Sequence, residues 1–244
     1  PEPLKKWAKS LMSLVSVSVK LKQKHFANSV TQIEAKNWKV SVTKQNIRLN
    51  AICDLVTKRI IADVGSDHGF VPKILLQNNK IDFAYVTDIS KKCVNKAKDN
   101  LQGFYDKTQF VVCDGITDLL SVTSLPQQII IAGMGGREIV KILSQDKDKN
   151  FDNFILQPQK NTEELRIFLK NNFFDIEKDF MVHDGKIFYN ILQVCRSKTI
   201  IELTNDQILF GKSNLSTPSE DFMNYLDYKI DKFSSILQNT KDRE

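Results

Sequence analysis

The chain has 244 residues, enough for one well-buried α/β domain with an appendage and too few for two large domains. Its formal charge of +6 originates in the first 45 residues, where nine lysines against two glutamates give +7 and leave −1 for the rest. A basic segment suits a nucleic-acid partner, and a solvated lysine-rich tail is the alternative. Four widely spaced cysteines without a Cys-x-x-Cys motif indicate neither a zinc site nor a redox pair.

The cysteine usage favours a cytoplasmic protein with reduced thiols. No uncharged apolar stretch approaches the length that spans a bilayer, so we expect no membrane association. Residues 1–45 are a basic N-terminal extension whose order is left open. Within it Leu4, Trp7, Leu11 and Leu14 have helical spacing, whereas Val15 to Val19 alternate with serine as in a strand.

From residue 46 onward, short apolar runs alternate with helix-like segments. The predicted strands are Arg59 to Val64, Phe83 to Thr87, Gln109 to Cys113, Gln128 to Ala132 and Asn153 to Leu156. The predicted helices are Arg48 to Val56, Val71 to Gln77, Ser90 to Leu101, a segment from Gly136 to Leu143, and Thr162 to Lys170. Val/Ile-rich strands that alternate with helices predict a mostly parallel, doubly wound α/β sheet.

The end of the core departs from simple alternation. Phe174 to Val182 and Lys186 to Val194 flank His183-Asp184-Gly185, and Asp-Gly between two extended runs is a strong hairpin signal. An antiparallel hairpin after five alternating strands is how class I methyltransferases end. We therefore predict a seven-stranded Rossmann-like catalytic domain over residues 46–197.

A C-terminal helical extension is predicted over residues 198–244. After Pro218 the apolar residues are spaced by three or four positions, as on one face of a helix. They are Phe222, Leu226, Ile230, Phe233 and Leu237. This stripe would dock on the core or face a partner.

In a doubly wound sheet the ligand lies at the carboxyl ends of the strands. The first strand ends in Asp63-Val64-Gly65-Ser66-Asp67-His68-Gly69, which lacks the third glycine of a dinucleotide fingerprint. A pyrophosphate ligand is therefore disfavoured. S-adenosylmethionine has no phosphate, and its charged amino-acid end is compatible with the nearby carboxylate of Asp63. A strand-to-helix turn with a capping aspartate is the alternative.

Two further acidic residues follow the next two strands. Asp88, twenty-three residues after Gly65, is placed to accept hydrogen bonds from ribose hydroxyls, although it could also cap a helix. Asp114-Gly115 offers a carboxylate for the exocyclic amine of adenine and space for the ring, or it is a simple turn. Three acidic residues at three successive strand ends indicate an adenosine-containing cofactor.

The fourth and fifth strand ends are candidates for the methyl acceptor. Gly133-Met134-Gly135-Gly136 would let a flat substrate approach the backbone, and a flexible connection is the alternative. Gln157-Pro158-Gln159 offers amide groups able to read a base edge. His68 beside Asp67 invites a metal, but His25 and His183 are remote in sequence, so no metal is predicted.

Together these motifs resemble the bacterial tRNA (adenine-N1)-methyltransferase family, TrmK, which methylates adenine 22 of tRNA. The resemblance covers roughly residues 46 to 239. It is carried by Arg48-Leu49, Ala62 to His68, Ile131 to Gly136, Leu156 to Pro158 with Leu165-Arg166, and Asp184 to Lys186 with Tyr189. Gly69 departs from the family's usual alanine, Gln159 stands where asparagine is frequent, and residues 1–45 have no counterpart.

The resemblance implies S-adenosylmethionine as cofactor, tRNA as substrate and Asp67 as the catalytic aspartate. The expected cofactor residues are Asp63, Gly65, Ser66, His68, Asp88, Ile89, Asp114, Gly115, Ala132 and Gly133. The expected substrate residues are Met134, Gly135, Gly136, Gln157, Pro158, Gln159 and Arg166. We expect a cytoplasmic monomer without a protein partner. A small-molecule methyltransferase, a dehydrogenase and a non-catalytic nucleotide-binding protein remain alternatives.

Overall fold

The computed structural model describes residues 12–22, 46–122, 124–185 and 187–241. Most of the lysine-rich extension, with Leu4, Trp7 and Leu11, lies outside these residues, as does Lys186 of the predicted hairpin. The chain divides into two compact units, Lys44–Ser213 and a second unit made of Pro1–Thr43 with Asn214–Glu244.

The first unit contains a seven-stranded sheet in the order β3-β2-β1-β4-β5-β7-β6. The strands are β1 Ile60–Val64, β2 Phe83–Asp88, β3 Thr108–Val112, β4 Gln128–Met134, β5 Asn153–Pro158, β6 Phe174–Asp184 and β7 Ile187–Arg196. Strands β1 to β5 pair in parallel, whereas β7 is antiparallel to both β5 and β6. The predicted class I methyltransferase fold with a terminal hairpin is confirmed.

The helices lie where the periodicity predicts them, with additions near the C-terminus. They are α1 (12–22), α2 Ile47–Asp54, α3 Phe70–Gln77, α4 Lys91–Asn100, α5 Gly136–Leu143, α6 Thr162–Asn171, α7 Asn205–Phe210, α8 Lys212–Ser216 and α9 Glu220–Lys241. Two 3-10 segments, Gln102–Lys107 and Thr117–Ser121, were not predicted. Ser90 caps α4 as predicted, because its hydroxyl accepts a hydrogen bond from the Cys93 amide.

The sheet separates two apolar cores because successive strand residues point to opposite faces. On β4, Ile129 and Ile131 belong to the core covered by α5 and α6, and Ile130 belongs to the core covered by α2, α3 and α4. All three isoleucines are fully buried. Each contributes roughly 1.5–3 kcal/mol of hydrophobic stabilisation, so the central strand is a rigid support for the residues at its end.

The chain runs from β1 outward through β2 to β3 and then returns to β4 on the other side of β1. The topological switch point therefore lies between the carboxyl ends of β1 and β4, where open α/β sheets bind ligands. The turn after Val64 and the glycines after Ala132 meet at this crevice.

In the second unit, residues 12–22 are helical, so the alternating valines belong to a helix and not to a strand. Leu14, Val17 and Leu21 form its buried face. Lys22 Nζ of α1 lies 2.8 Å from Asp227 Oδ1 of α9. Helix α9 confirms the predicted C-terminal helix, and its Phe222 and Leu226 are fully buried. The side chain of Leu237 lies outside the described part of the chain.

The boundary of the first unit, after Ser213, lies beyond the predicted boundary at residue 197. The reason is a set of hydrogen bonds from α6 and β6 to residues 208–213. Arg166 Nη1 donates to the carbonyls of Ile208 and Leu209 at 2.9 and 3.2 Å, and Asp179 N donates to Ser213 Oγ at 3.0 Å. These bonds attach residues 204–213 to the sheet.

Candidate active site

The turn between β1 and α3 is shaped by three residues with positive φ, Gly65 (70°), Asp67 (47°) and Gly69 (66°). Gly65 N and Ser66 N both donate to Thr87 O at 2.9 Å, which holds the turn against the end of β2. A Cβ at Gly69 would lie 2.9 Å from Leu101 Cδ1, too close for a carbon contact. Glycine thus fits this position in this chain.

A cavity of about 580 Å³ opens at the ends of β1 to β4. We call it the larger cavity. It is lined by Gly65, Asp88, Ile89, Asp114, Gly115, Met134 and Gly135, with Val64, Cys113, Glu138, Lys141, Ile142 and Gln145. Its volume lies within the roughly 300–1,000 Å³ typical of small-molecule sites. The structure thus brings two of the three predicted strand-end aspartates to one cavity.

A second cavity of about 270 Å³, the smaller cavity, lies on the other side of Gly65. It is lined by Arg48, Leu49, Asp63, Gly65, Ser66, Asp67, His68, Phe70, Val71, Ala132 and Gly133. Gly65 therefore lines both cavities. A Cβ there would overlap Met134 Cε, so glycine at this position lets the Met134 side chain pack against the turn.

Asp63 is the buried carboxylate of the smaller cavity, with 5% of its surface exposed. Burial raises its pKa from 3.8 to about 6, the Ser66 hydroxyl bond at 2.5 Å lowers it, and the Asp88 charge raises it further. A buried carboxylate without a paired cation is costly. The site is therefore suited to a ligand with a positive charge.

Asp88 holds the end of β2 in place. Its Oδ1 accepts from Ser90 N at 2.8 Å, and its Oδ2 accepts from Asp67 N at 3.3 Å. Both oxygens keep a further lone pair toward the larger cavity, so the carboxylate can also accept hydrogen bonds from ligand hydroxyls.

Asp67 lies at the mouth of the smaller cavity, and half of its side chain is exposed. Lys96 Nζ of α4 is 3.1 Å from Oδ1, and His68 Nδ1 is 2.7 Å from Oδ2. The hydrogen bond from Lys96 is the main cause that lowers the pKa of Asp67, with smaller contributions from Cys93 and the His68 charge, while burial opposes it. Asp67 is therefore a firmly ionised carboxylate that ligands can reach.

Arg48 is a site residue that sequence reasoning missed, although it belongs to the stretches that carry the family resemblance. Its Nη1 donates to Gln157 Oε1 at 2.8 Å, and its guanidinium lies 5.4 Å from the centre of the Tyr189 ring. Gln157, at the end of β5, is fully buried and does not line the smaller cavity. Arg48 binds Gln157 and lines that cavity, so it connects the two.

The glycine segment after β4 is divided between the two cavities and the core. Gly133 lines the smaller cavity, whereas Met134 and Gly135 line the larger one with Asp88 and Asp114. Gly136 is buried, and a Cβ there would overlap the Asn161 carbonyl, which indicates a packing role. A single acceptor pocket formed by these glycines is therefore not what the structure shows.

The structure also corrects the expectation for Arg166. Its side chain is 1% exposed, and all five of its N–H donors are engaged by the protein. Nε and Nη2 bind the Asp179 carboxylate at 2.7 and 2.9 Å, Nη2 also binds Asn190, and Nη1 binds two α7 carbonyls. Arg166 holds α7 against the sheet and lines neither cavity.

The remaining predicted substrate residues lie around the end of β5. Pro158 is buried in the strand, whereas Gln159 is exposed and its N–H donates to Met134 O at 2.8 Å. Gln159 Nε2 would be 3.7 Å from a Cβ at Gly133, so its amide lies at the edge of the smaller cavity. Within the described residues, no group of three potential ligands is arranged to hold a metal ion.

Comparison with known proteins decides the family. The family model described as tRNA (adenine(22)-N(1))-methyltransferase, TrmK, matches residues 61–244. The chain belongs to the TrmK family. It is 30% identical over 151 residues to the tRNA (adenine(22)-N(1))-methyltransferase of Bacillus subtilis, covering 59% of this chain and 63% of that protein. It is also 33% identical over 169 residues to a Mycoplasma genitalium protein provisionally named a tRNA methyltransferase, covering 67% and 76%.

Solved structures agree with this TrmK fold. A Streptococcus pneumoniae structure in complex with S-adenosyl-L-methionine superposes with a TM-score of 0.67 at 27% identity, covering 78% of this chain and 98% of that one. Mycoplasma capricolum TrmK with S-adenosyl-homocysteine has the same fold, with a TM-score of 0.62 at 23% identity over 79% and 97% of the two chains. The protein is an S-adenosylmethionine-dependent tRNA (adenine-N1)-methyltransferase.

The residues present fit this cofactor. The larger cavity is lined by the carboxylates of Asp88 and Asp114, and it shares Gly65 with the smaller cavity, where the buried Asp63 carboxylate has no paired cation among the described residues. A ligand with hydroxyl groups, an aromatic amine and an ammonium group satisfies these features together.

Among the described residues, none of the helices is apolar and long enough to traverse a bilayer.

Proposed function

We propose that the two cavities divide the reaction between them. The larger cavity holds the adenosyl part of S-adenosylmethionine, and the smaller cavity receives the amino-acid end of the cofactor at Asp63 and the target adenine beside Asp67. The observation that supports this division is that Gly65 lines both cavities, with Asp88 and Asp114 on one side of it and Asp67 on the other. The methyl group would pass beside Gly65.

The cofactor supplies an electrophilic methyl group on a sulfonium centre. In our proposal Asp88 accepts the ribose hydroxyls, Asp114 accepts the adenine amine, and Asp63, oriented by Ser66, accepts the ammonium group. Ile89 lies beside Asp88 with an exposed side chain and covers the adenine ring. Ala132 and Gly133 leave room for the ligand because they carry a small side chain or none. Gly115 lines the cavity through its backbone, and the Gln145 amide fills the space beside it.

Asp67 is the proposed catalytic residue. Adenine N1 already carries a lone pair, so methyl transfer requires alignment more than a base. Positive charge develops on the ring during transfer, and a fixed carboxylate that accepts a hydrogen bond from the 6-amino group stabilises that charge. Lys96 and His68 contact the two oxygens of Asp67 and hold the carboxylate ionised.

Position 22 lies in the paired D-stem of tRNA, so the base must leave the helix to reach this site. We propose that it enters the smaller cavity at Gly133, where Arg48, held by Gln157, lines the cavity. Lysines of the surface and of the C-terminal helix would hold tRNA phosphates, which predicts a steep loss of binding with added salt. The enzyme is proposed to act as a cytoplasmic monomer.

The proposed function is tested with unmodified tRNA and labelled S-adenosylmethionine. We expect 1-methyladenosine at position 22, identified by mass, and no transfer to a tRNA that has guanine there. Asp88→Ala should weaken cofactor binding in calorimetry while Asp106→Ala, an exposed aspartate outside both cavities, should not. Transfer to a small molecule but not to tRNA would contradict the assignment of the smaller cavity.

A further inference from the structure

Two aromatic rings stand side by side at the mouth of the smaller cavity. Phe70 is the first residue of α3, and its ring is stacked on that of His68 with a centroid distance of 5.3 Å and an interplanar angle of 11°. Both residues line the smaller cavity together with Asp67. Phe70 is 49% exposed, so a ligand can reach its ring.

The ring pair is held in place by polar contacts around His68. Its Nδ1 contacts Asp67 Oδ2 at 2.7 Å, and its carbonyl accepts from Asn100 Nδ2 at 2.8 Å. Asn100 is itself bound by Lys73 Nζ at 2.6 Å. The backbone and ring of His68 are therefore fixed, and Phe70 rests on a rigid support.

Other residues that line the smaller cavity leave space for a flat group. Gly133 has no side chain, and Arg48 Nη1 would be 3.8 Å from a Cβ at that glycine. The Arg48 guanidinium is in turn positioned over Tyr189. The smaller cavity therefore carries an exposed aromatic ring, a glycine and a guanidinium, which together suit a planar ring. Proteins hold unstacked bases on such aromatic and guanidinium surfaces.

We propose that Phe70, backed by His68, is the stacking surface for the adenine extruded from the D-stem. This inference rests on the proposed function and adds the residue that replaces the stacking lost when the base leaves the helix. It also assigns His68 to the acceptor side of the site, beside Asp67, and not to the cofactor. The ring edge of the base remains free to present its 6-amino group to Asp67.

The test compares Phe70→Leu, which removes the ring and keeps apolar bulk, with Phe70→Tyr, which keeps the ring. Loss of one base–aromatic stack lowers kcat/KM for tRNA by roughly 5- to 150-fold in Phe70→Leu, and Phe70→Tyr should stay within about twofold of the wild type. Affinity for S-adenosylmethionine, measured by calorimetry, should be unchanged in both. Tyr105→Leu is the matched control, because Tyr105 is a 47% exposed aromatic residue outside both cavities.

A second readout reports the base directly. With 2-aminopurine at position 22 of the tRNA, emission in the complex should be lower for Phe70→Tyr than for Phe70→Leu, since stacking on a ring quenches it. Phe70→Met serves if Phe70→Leu does not fold. Equal emission, equal loss in the Leu and Tyr variants, or a loss confined to cofactor affinity would overturn the proposal. Absence of methyl transfer to tRNA by the wild-type enzyme would instead contradict the proposed function.

Discussion

Two contacts between an aspartate and a basic side chain have opposite characters in this molecule. Arg166 and Asp179 form a bidentate pair in which each side chain is 1% exposed. Asp67 and Lys96 lie 3.1 Å apart at the mouth of the smaller cavity, with 50% and 40% of their side chains exposed. The first pair joins α6, β6 and α7, and the second lies where the target base would enter.

Solvent accessibility distinguishes the structural charge pair, Arg166 with Asp179, from the functional one, Asp67 with Lys96. Every N–H donor of the buried Arg166 guanidinium binds a protein acceptor, so none is available to a substrate. The half-exposed Asp67 carboxylate contacts Lys96 through Oδ1 and His68 through Oδ2, and it can still accept a hydrogen bond from a ligand. Substitutions should therefore affect folding at the first pair and catalysis at the second.

The largest expected effect is on the stability of the buried pair. Arg166→Met leaves Asp179 buried without a partner, and the free energy of unfolding should fall by about 3–5 kcal/mol in urea titrations at pH 7. The control is Arg137→Met, because Arg137 forms a comparable pair with Glu164 at 2.6 Å that is 70% and 45% exposed. That variant should lose less than about 1 kcal/mol. Similar losses in the two variants would show that burial is not the deciding factor.

The next effect is on turnover at Asp67. Asp67→Asn keeps a residue that tolerates the positive φ of 47°, which alanine does not, but removes the charge. Single-turnover methylation of tRNA should slow about 10²- to 10³-fold, as for other lost electrostatic stabilisers, with unchanged cofactor affinity and melting temperature. Asp106→Asn is the control. A near-normal rate would remove Asp67 from the catalytic role.

The ionised Asp63 carboxylate is expected to lower the free energy of unfolding and to strengthen cofactor binding. Its folded pKa of about 6 exceeds its ordinary 3.8, so the stability that its protonation contributes is present at acid pH and is lost as pH rises through 6. Asp63→Asn should raise the free energy of unfolding at pH 8 by up to about 3 kcal/mol, have little effect near pH 4, and weaken cofactor binding. Wild-type cofactor affinity should decline below pH 6. A pH-independent stability difference would contradict this account.

The smallest effect is expected at Lys96. Because its hydrogen bond is the main cause of the lowered pKa of Asp67, Lys96→Met should raise that pKa. The acid limb of the pH–rate profile at saturating cofactor should move to higher pH, while the rate near pH 8 changes little. Lys92→Met, an exposed lysine of the same helix, should leave the profile unchanged. Superimposable profiles for Lys96→Met and the wild type would argue that Lys96 does not hold Asp67 ionised.

Local patterns in the sequence were sufficient for most of the secondary structure. The Val/Ile runs, Ser90 as a helix cap and the hairpin signal at Asp184-Gly185 act within a few residues of themselves, and the fold confirms each of them. Asp184, however, ends β6 and pairs with Ile187, so Gly185 and not Asp184 has the positive φ of the turn. Helix α7 was not predicted, although Thr204 and Gln207 form a capping box that carries a readable signal. The alternating valines of residues 15–19 pointed to a strand because a helical face can share that short pattern.

The sequence also placed Asp63, Asp88 and Asp114 at neighbouring strand ends, because a parallel sheet brings the carboxyl ends of its strands to one edge. It did not distinguish the two sides of Gly65, so Met134 and Gly135 were expected with the acceptor and lie in the larger cavity. Arg48, Phe70 and Lys96 come from three different helices, and no local pattern relates them to Asp67.

The fold class, the family and the strand ends at which the site forms could be predicted from the sequence, since periodicity and turn chemistry are short-range properties. Which charged side chains are accessible could be seen in the folded structure only. Arg166 and Asp67 are both charged, and the sequence does not show which of them is buried. Arg166 is buried between α6, β6 and α7 and is therefore a structural residue. Exposure at the crevice leaves the second able to meet a ligand. Burial depends on what the rest of the chain packs around a side chain, which spacing along the sequence does not encode.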